Sequence, residues 1–200
     1  MAHPTVIFTI AVAVALNTAA PIGTASALTP GTVTVAEPPK SDPAAGTTAC
    51  LESGDGYLRA HLAGAIDANI DWPNSGTHCE GEYRDKPPGV RLSFQRAAGG
   101  KPNLLLVFGL TGVRAGKPAH AVGANLTIIV QGTSHIYGTL GDSRCTVDSL
   151  TQRPLAVSGS YRIEARGFCT SPAHAVRGDG DVLASTFEFA GIVNYLSEQK

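Results

Sequence analysis

The chain has 200 residues, which suits one domain once a short N-terminal export segment is set aside. Its 15 Lys and Arg residues and 16 Asp and Glu residues leave a net charge of -1. This balance argues against a nucleic-acid-binding protein and supplies no polybasic patch for anionic lipid. Hydrophobic residues make up 43% of the chain, enough for a buried core, and the 23 glycines and 13 prolines indicate many turns rather than long helices.

The N-terminus carries the features of a cleavable signal peptide. An apolar run at residues 6–16 is too short to span a bilayer, which needs about 20 residues, and has the length of a signal-peptide core. The small residues Ala25 and Ala27 flank Ser26 and predict cleavage after Ala27, giving a signal peptide over 1–27. The first five residues depart from the pattern because they contain no Lys or Arg, so an uncleaved N-terminal anchor stays open. Residues 28–49, rich in small and turn-forming residues, predict a flexible linker.

The four cysteines agree with export. None belongs to a Cys-x-x-Cys pair, so the spacing favours neither a zinc site nor a thioredoxin-like motif. An even count in an oxidising compartment predicts two disulfides, and four cysteines allow three connectivities. We favour Cys50–Cys79 with Cys145–Cys169 because each pair closes the shorter loop.

Alternating apolar and polar residues dominate the rest of the chain. Residues 57–72 alternate almost without a break and predict one long half-buried strand, bent or bulged at Gly64. The pattern as a whole predicts an all-β domain over residues 50–195, an antiparallel β-sandwich or barrel of about eight to nine strands, followed by a tail at 196–200. The other strand-like segments are 78–84, 90–95, 104–110, 124–132, 135–139, 145–150, 161–169 and 183–193.

Two histidines and two aspartates are the candidate site residues. The pentapeptide Pro-Ala-His-Ala-Val occurs at 118–122 and at 172–176, in segments interpreted as loops before strands, and it carries His120 and His174. Two imidazoles brought together would suit a metal, although the match ends with the pentapeptide and gives no internal repeat. Asp179 and Asp181 flank Gly180 like a fragment of a calcium loop, but the further ligands of that loop are missing and a tight hairpin turn explains them equally well.

No catalytic residue, metal ligand or cofactor is predicted from these motifs. The rival hypothesis is a hydrolase assembled from residues dispersed in the sequence, such as Ser143, His120 and Asp179, because catalytic groups often meet only in the fold. Their proximity in a cleft would support it.

Several short segments in the second half of the chain form a recognisable series. They are Gly-Ala-Asn-Leu-Thr at 123–127, Gln-Gly-Thr at 131–133, Tyr-Gly-Thr at 137–139 and Gly-Asp-Ser-Arg-Cys at 141–145. In these segments the chain resembles a group of exported bacterial β-rich proteins with no assigned activity. The resemblance implies a location in the bacterial envelope, and no functional residue is carried over from that group.

The sequence therefore predicts a periplasmic or secreted binding or interaction protein without a membrane span after cleavage. Its expected partner is an envelope or extracellular protein or a small ligand, and not a nucleic acid. Three alternatives stay open, namely the hydrolase, a structural envelope protein that packs against a partner, and a carrier of lipids or small molecules if the sheet closes around an apolar lumen.

Overall fold

The computed structural model describes residues 49–96, 103–141 and 143–196, and these contain strands and turns with no helix. The predicted signal peptide and nearly all of the predicted linker lie outside the described residues, as do the last four residues of the predicted tail. Eleven strands lie in the described part: β1 (Tyr57–Gly64), β2 (Ala68–Pro73), β3 (Thr77–Asp85), β4 (Pro88–Arg96), β5 (Leu104–Thr111), β6 (Ala119–Val130), β7 (Ile136–Gly138), β8 (Cys145–Pro154), β9 (Ser160–Cys169), β10 (Ala173–Arg177) and β11 (Asp181–Asn194).

The strand pairing closes on itself. Strands β3 to β6 pair in chain order, β6 pairs with β8, β8 with β9, and β9 with β11, all antiparallel. A parallel contact between Asn194 of β11 and Glu82 of β3 completes the circuit. We call these seven strands the strand circuit. The all-β, antiparallel prediction is confirmed, with a closed path of hydrogen-bonded neighbours around one core.

The predicted long strand at 57–72 is two strands. Gly64 has a φ of 113°, and the chain turns back after it, so that β1 pairs with β2 in a hairpin with Leu62 opposite Ala68. The prediction of a single strand was wrong because apolar and polar residues keep alternating, with a period of two, through the turn. Both strands of the hairpin keep their apolar residues on the same face, so the pattern carries no mark of the reversal.

The second Pro-Ala-His-Ala-Val segment also differs from its prediction as a loop. Residues 173–177 form β10, which pairs with β7 and with the start of β11, and residues 119–122 of the first copy belong to β6. Alanine has low strand propensity, so this segment lacks the β-branched residues that signal a strand. The turn from Arg177 to Asp181 is the hairpin that the sequence predicts, with Gly178 and Gly180 at positive φ.

Four phenylalanines form the centre of the core. Phe108 lies 5.0 Å from both Phe187 and Phe189 and 6.2 Å from Phe94, measured between ring centroids. Glycines on the neighbouring strands make room for these rings, because a Cβ atom at Gly191 would lie 2.9 Å from Cζ of Phe94. The interior of the strand circuit is therefore filled by buried side chains that contact one another.

The two disulfides join the predicted cysteines. Cys145 and Cys169 lie opposite each other on β8 and β9, and Cys50 is bonded to Cys79 at the start of β3. The preference for the shorter loops is confirmed. Bonds of this kind form and persist in oxidising compartments. Among the residues described, no helix has the length and hydropathy needed to cross a lipid bilayer.

Candidate functional site

The structure pairs two of the predicted site residues. His174 and Asp181 face each other on β10 and β11, and Nδ1 of His174 lies 2.8 Å from Oδ1 of Asp181. Both side chains are more than half exposed, at 56% and 53%. Asp179 lies in the turn between them, and its carbonyl oxygen accepts a hydrogen bond of 3.3 Å from the Tyr137 hydroxyl. These contacts are those of a solvated hairpin.

His120 lies far from this hairpin. It stands near the start of β6, opposite Ser149, with Nδ1 3.2 Å from the carbonyl oxygen of Asp148. Gly138, the β7 neighbour of His174, pairs with Thr127. Thr127 is seven residues farther along β6 than His120, about 23 Å at the usual rise of a strand. The two imidazoles are therefore not brought together.

The dispersed hydrolase residues do not meet either. Ser143 precedes the start of β8, whereas His120 pairs with Ser149 of the same strand. Ser149 is six residues after Ser143, so Ser143 and His120 are about 20 Å apart along the strand. Asp179 belongs to the separate hairpin between β10 and β11. Within the described residues, no group of three or more His, Cys, Asp or Glu side chains is placed to hold a metal ion.

A cavity at one end of the strand circuit has the character of a binding site. The turn from β3 to β4, the loop from β5 to β6 and the end of β11 meet there and form an open-mouthed cavity of about 710 Å³. This volume is in the range of small-ligand sites, and the lining combines two tyrosines and other largely apolar side chains with one charged group, Arg114. The lining residues of this end cavity are Tyr83, Pro87, Pro88, Thr111, Gly112, Val113, Arg114, Ala115 and Tyr195.

Aromatic packing fixes the wall of the end cavity. The ring of Tyr195 lies 5.6 Å from that of Tyr83 and 5.5 Å, edge to face, from that of Tyr161. Such offset and edge-to-face pairs add to the stability gained from burying the rings. The half-buried Tyr83 and Tyr195 rings are thus held in place while each keeps part of its surface open to the cavity.

Gln152 ties the opposite wall to Tyr195. The Tyr195 hydroxyl donates a hydrogen bond of 2.8 Å to Oε1 of Gln152, whose amide nitrogen donates to the carbonyl oxygens of Arg114 and Lys117 at 2.8 and 2.9 Å. The loop from β5 to β6 is therefore anchored to the aromatic wall through one side chain. A site preorganised in this way loses little conformational entropy when it binds.

Positive charge surrounds the end cavity. The segments 85–88 and 112–118 contain the cations Lys86, Arg114 and Lys117 and one carboxylate, Asp85. All three cations are exposed, and none takes part in an ion pair within the described part of the chain. Arg114 lines the cavity itself, and Lys86 and Lys117 belong to the segments that form its rim, so this end of the circuit favours an anionic ligand.

We expect Tyr195 to titrate far above an ordinary tyrosine. Burial raises the pKa of Tyr195 from 10.0 to about 12. The unfolded chain releases this proton near its ordinary pKa, so the contribution to stability is complete below pH 10.0 and is lost as pH rises to about 12. The pKa of Tyr195 is measured by titrating the phenolate absorbance of the native protein and subtracting that of Tyr195→Phe. In guanidinium chloride the midpoint of this difference should fall to about 10, and a midpoint near that value in the folded protein would contradict the expectation.

Sequence reasoning did not find the end cavity. Tyr83, Tyr161 and Tyr195 are scattered over more than half of the chain; the first two resemble ordinary strand residues, and Tyr195 follows the last predicted strand. The one local signal is the dipeptide Pro87-Pro88, four residues after Tyr83, which by itself indicates only a turn. A search of protein-family models, of curated proteins and of solved structures finds no match to this chain.

Proposed function

We propose that this is an exported, non-catalytic binding protein of the bacterial envelope whose ligand occupies the end cavity. The observation that carries the proposal is the cavity of about 710 Å³. The Tyr83 and Tyr195 rings form one of its walls, and the loop anchored by Gln152 forms the other. The interior of the strand circuit is packed, so the ligand is placed at the end of the circuit and not within a lumen.

The chemistry of the end cavity indicates the class of ligand. The tyrosine and proline rings offer apolar, flat surfaces against which a ring can stack. Arg114 adds a guanidinium group that binds carboxylate, sulfonate or phosphate oxygens with two parallel hydrogen bonds. We infer a small ligand that joins an apolar ring to an anionic group.

Export and location rest on several supporting observations. The two disulfides fit an oxidising compartment. The apolar run at 6–16 and the small residues before position 28 fit a signal peptide. The resemblance to exported bacterial proteins agrees with both and supports the envelope of a bacterium as the place of action.

Two dyes of similar shape and different charge test the proposed function. Anilinonaphthalene sulfonate carries aromatic rings and an anionic group, and phenylnaphthylamine carries the rings without the charge. Both should bind to the native protein with an increase in fluorescence. Because a hydrogen bond to a charged group contributes about 1.5–3 kcal/mol, Arg114→Gln should weaken the anionic dye about tenfold or more and leave the neutral dye unchanged.

Arg177→Gln is the matched control, since Arg177 is an exposed arginine on β10 outside the end cavity. It should change neither affinity. Tyr83→Ala should weaken both dyes, because it removes ring surface that they share. Equal affinity of the anionic dye for Arg114→Gln and Arg177→Gln, or no binding of either dye to the native protein, would refute the assignment of the ligand to this cavity.

A further inference from the structure

Besides the end cavity, two depressions lie on the outer face of β8, β9, β11, β1 and β2. One encloses about 480 Å³ and is lined by Arg59, Asn69 and Thr186 among others, and the smaller encloses about 180 Å³. Arg166 and Glu188 line both, so the two depressions meet at these side chains. We call the combined surface the polar groove.

Strand register places opposite charges side by side along the polar groove. Glu188 of β11 lies opposite Arg59 of β1 on one side and opposite Arg166 of β9 on the other, and Arg59 in turn lies opposite Asp71 of β2. Neighbouring side chains on one face of paired strands stand close enough to interact. Arginines and carboxylates therefore alternate across the strands, which favours neither a strongly anionic nor a strongly cationic ligand.

The Tyr57 hydroxyl lies between two carboxylates of the polar groove. It donates its hydrogen bond to Oε1 of Glu188 at 3.0 Å, and Oε1 of Glu164 lies 3.4 Å away on its other side, where the same proton attracts it more weakly. Burial first, and then these carboxylates, raise the pKa of Tyr57, so its hydroxyl keeps its proton as a donor. Both glutamate side chains stay more than two-fifths exposed, at 44% for Glu164 and 43% for Glu188, and each carboxylate oxygen can accept a further hydrogen bond from a ligand.

A buried arginine, Arg162, holds the Glu164 carboxylate in place. Arg162, with 8% of its side chain exposed, donates from Nη1 to Oε2 of Glu164 at 2.6 Å. Its Nε lies 2.8 Å from Oδ2 of Asp55, a close ion pair that lacks the alignment of a hydrogen bond. Because Arg162 is nearly buried, the position of the Glu164 carboxylate is set before any ligand arrives.

Arg166 differs from Arg59, the other arginine that lines the polar groove, and from the buried Arg162 that positions Glu164. Arg59 and Arg162 are ion-paired with carboxylates, whereas Arg166 takes part in none of the ion pairs or side-chain hydrogen bonds found among the described residues. Its exposed guanidinium lies where the two depressions meet, beside the positioned Glu188. The polar groove thus offers a free planar donor next to fixed planar acceptors.

We propose that the polar groove is a binding site for a saccharide, separate from the end cavity. Adjacent hydroxyl groups of a sugar each donate one hydrogen bond and accept others, so they match carboxylate acceptors beside guanidinium and amide donors. Glu188 and Glu164 accept from the sugar hydroxyls, while Arg166 and Asn69 donate to them. The larger depression has the volume of a small-ligand site.

An array of immobilised bacterial and plant glycans tests this proposal with the full chain. We expect binding to a subset of neutral glycans, and competition by the corresponding free oligosaccharide identifies a sugar epitope rather than the surface of the array. Arg166→Gln and Glu188→Gln should each weaken the binding about tenfold or more, because each replaces a charge-assisted hydrogen bond to a sugar hydroxyl by at best a neutral one. Tyr57→Phe should weaken it as well, since the two carboxylates lose the hydroxyl between them.

Arg91→Gln is the control for the arginine substitution, because Arg91 is an exposed arginine on β4 that lies outside the polar groove. It should bind glycans like the native protein. Absence of binding to every glycan of the array, or equal binding by Arg166→Gln and Arg91→Gln, would overturn the proposal. The test is independent of the proposed function, since Arg114→Gln should keep glycan binding and Arg166→Gln should keep dye binding.

Discussion

Replacing Phe108 with alanine should lower the free energy of unfolding by about 3–5 kcal/mol, the range found when a buried phenylalanine is truncated. The ring is fully buried and contacts Phe94, Phe187 and Phe189, which come from three different positions on β4 and β11. Alanine at this position would leave a cavity that the surrounding strands cannot fill without moving. Denaturation in guanidinium chloride, followed by circular dichroism, gives the change in stability.

Leu105→Ala on the same strand is the control for Phe108→Ala. Leu105 points to the outer face of β5 and is only partly buried, so its truncation should cost about 1 kcal/mol or less. A cost for Phe108→Ala no greater than that for Leu105→Ala would contradict the position of the phenylalanine cluster at the centre of the core.

Replacing both Cys145 and Cys169 with alanine should lower the free energy of unfolding by about 3.5 kcal/mol, from the chain entropy of the loop that the disulfide closes. The two residues are separated by 24 positions, and both are buried between β8 and β9. The lost cross-link therefore acts on strands that belong to the strand circuit, and unfolding should remain a single transition at a lower denaturant concentration.

The second disulfide provides a comparison with a different expected response. Cys50 belongs to a segment that is attached to the circuit through Asn74, whose side chain bonds the backbone of Leu51 and Gly56. Without the bond to Cys79, we expect the amides of this segment to exchange faster with solvent before the global stability falls. The disulfide assignments would be contradicted if removal of Cys145 and Cys169 affected only this segment.

Most of the fold could be predicted from period and turn chemistry. The alternation of apolar and polar residues predicts the strands because one face of each strand is buried. The rule that cysteines close the shorter loops predicts the Cys145–Cys169 bond because these residues lie on strands that follow each other in the chain. Two errors have one cause. The hairpin at Gly64 and strand β10 lack a local signal, and their form is decided by the partners, β11 and β7, that they meet in space.

The candidate sites depend on information that the sequence pattern does not hold. Glu188 is one of many outward polar residues until register places it between Arg59 and Arg166. Tyr83 and Tyr195 come together because Asn194 pairs with Glu82, a single parallel contact between distant segments. The proximity of His174 to Asp181, by contrast, follows from a short hairpin whose turn residues are visible in the sequence.

Strand β11 has a consequence for the order in which the molecule can be built. It pairs with β1, β9, β10 and β3, and the residues of β1 that it meets lie between 118 (Gly64 to Val182) and 133 (Tyr57 to Ala190) positions earlier in the chain. When the chain is synthesised from its N-terminus, β1 and β9 each have one unpaired edge until residues 181–194 have been made. Native structure of this kind is slow to form and is completed late. A chain with that property cannot close its strand circuit until its last strand has been made, so the order of synthesis leaves the first half of the domain incomplete for most of that time.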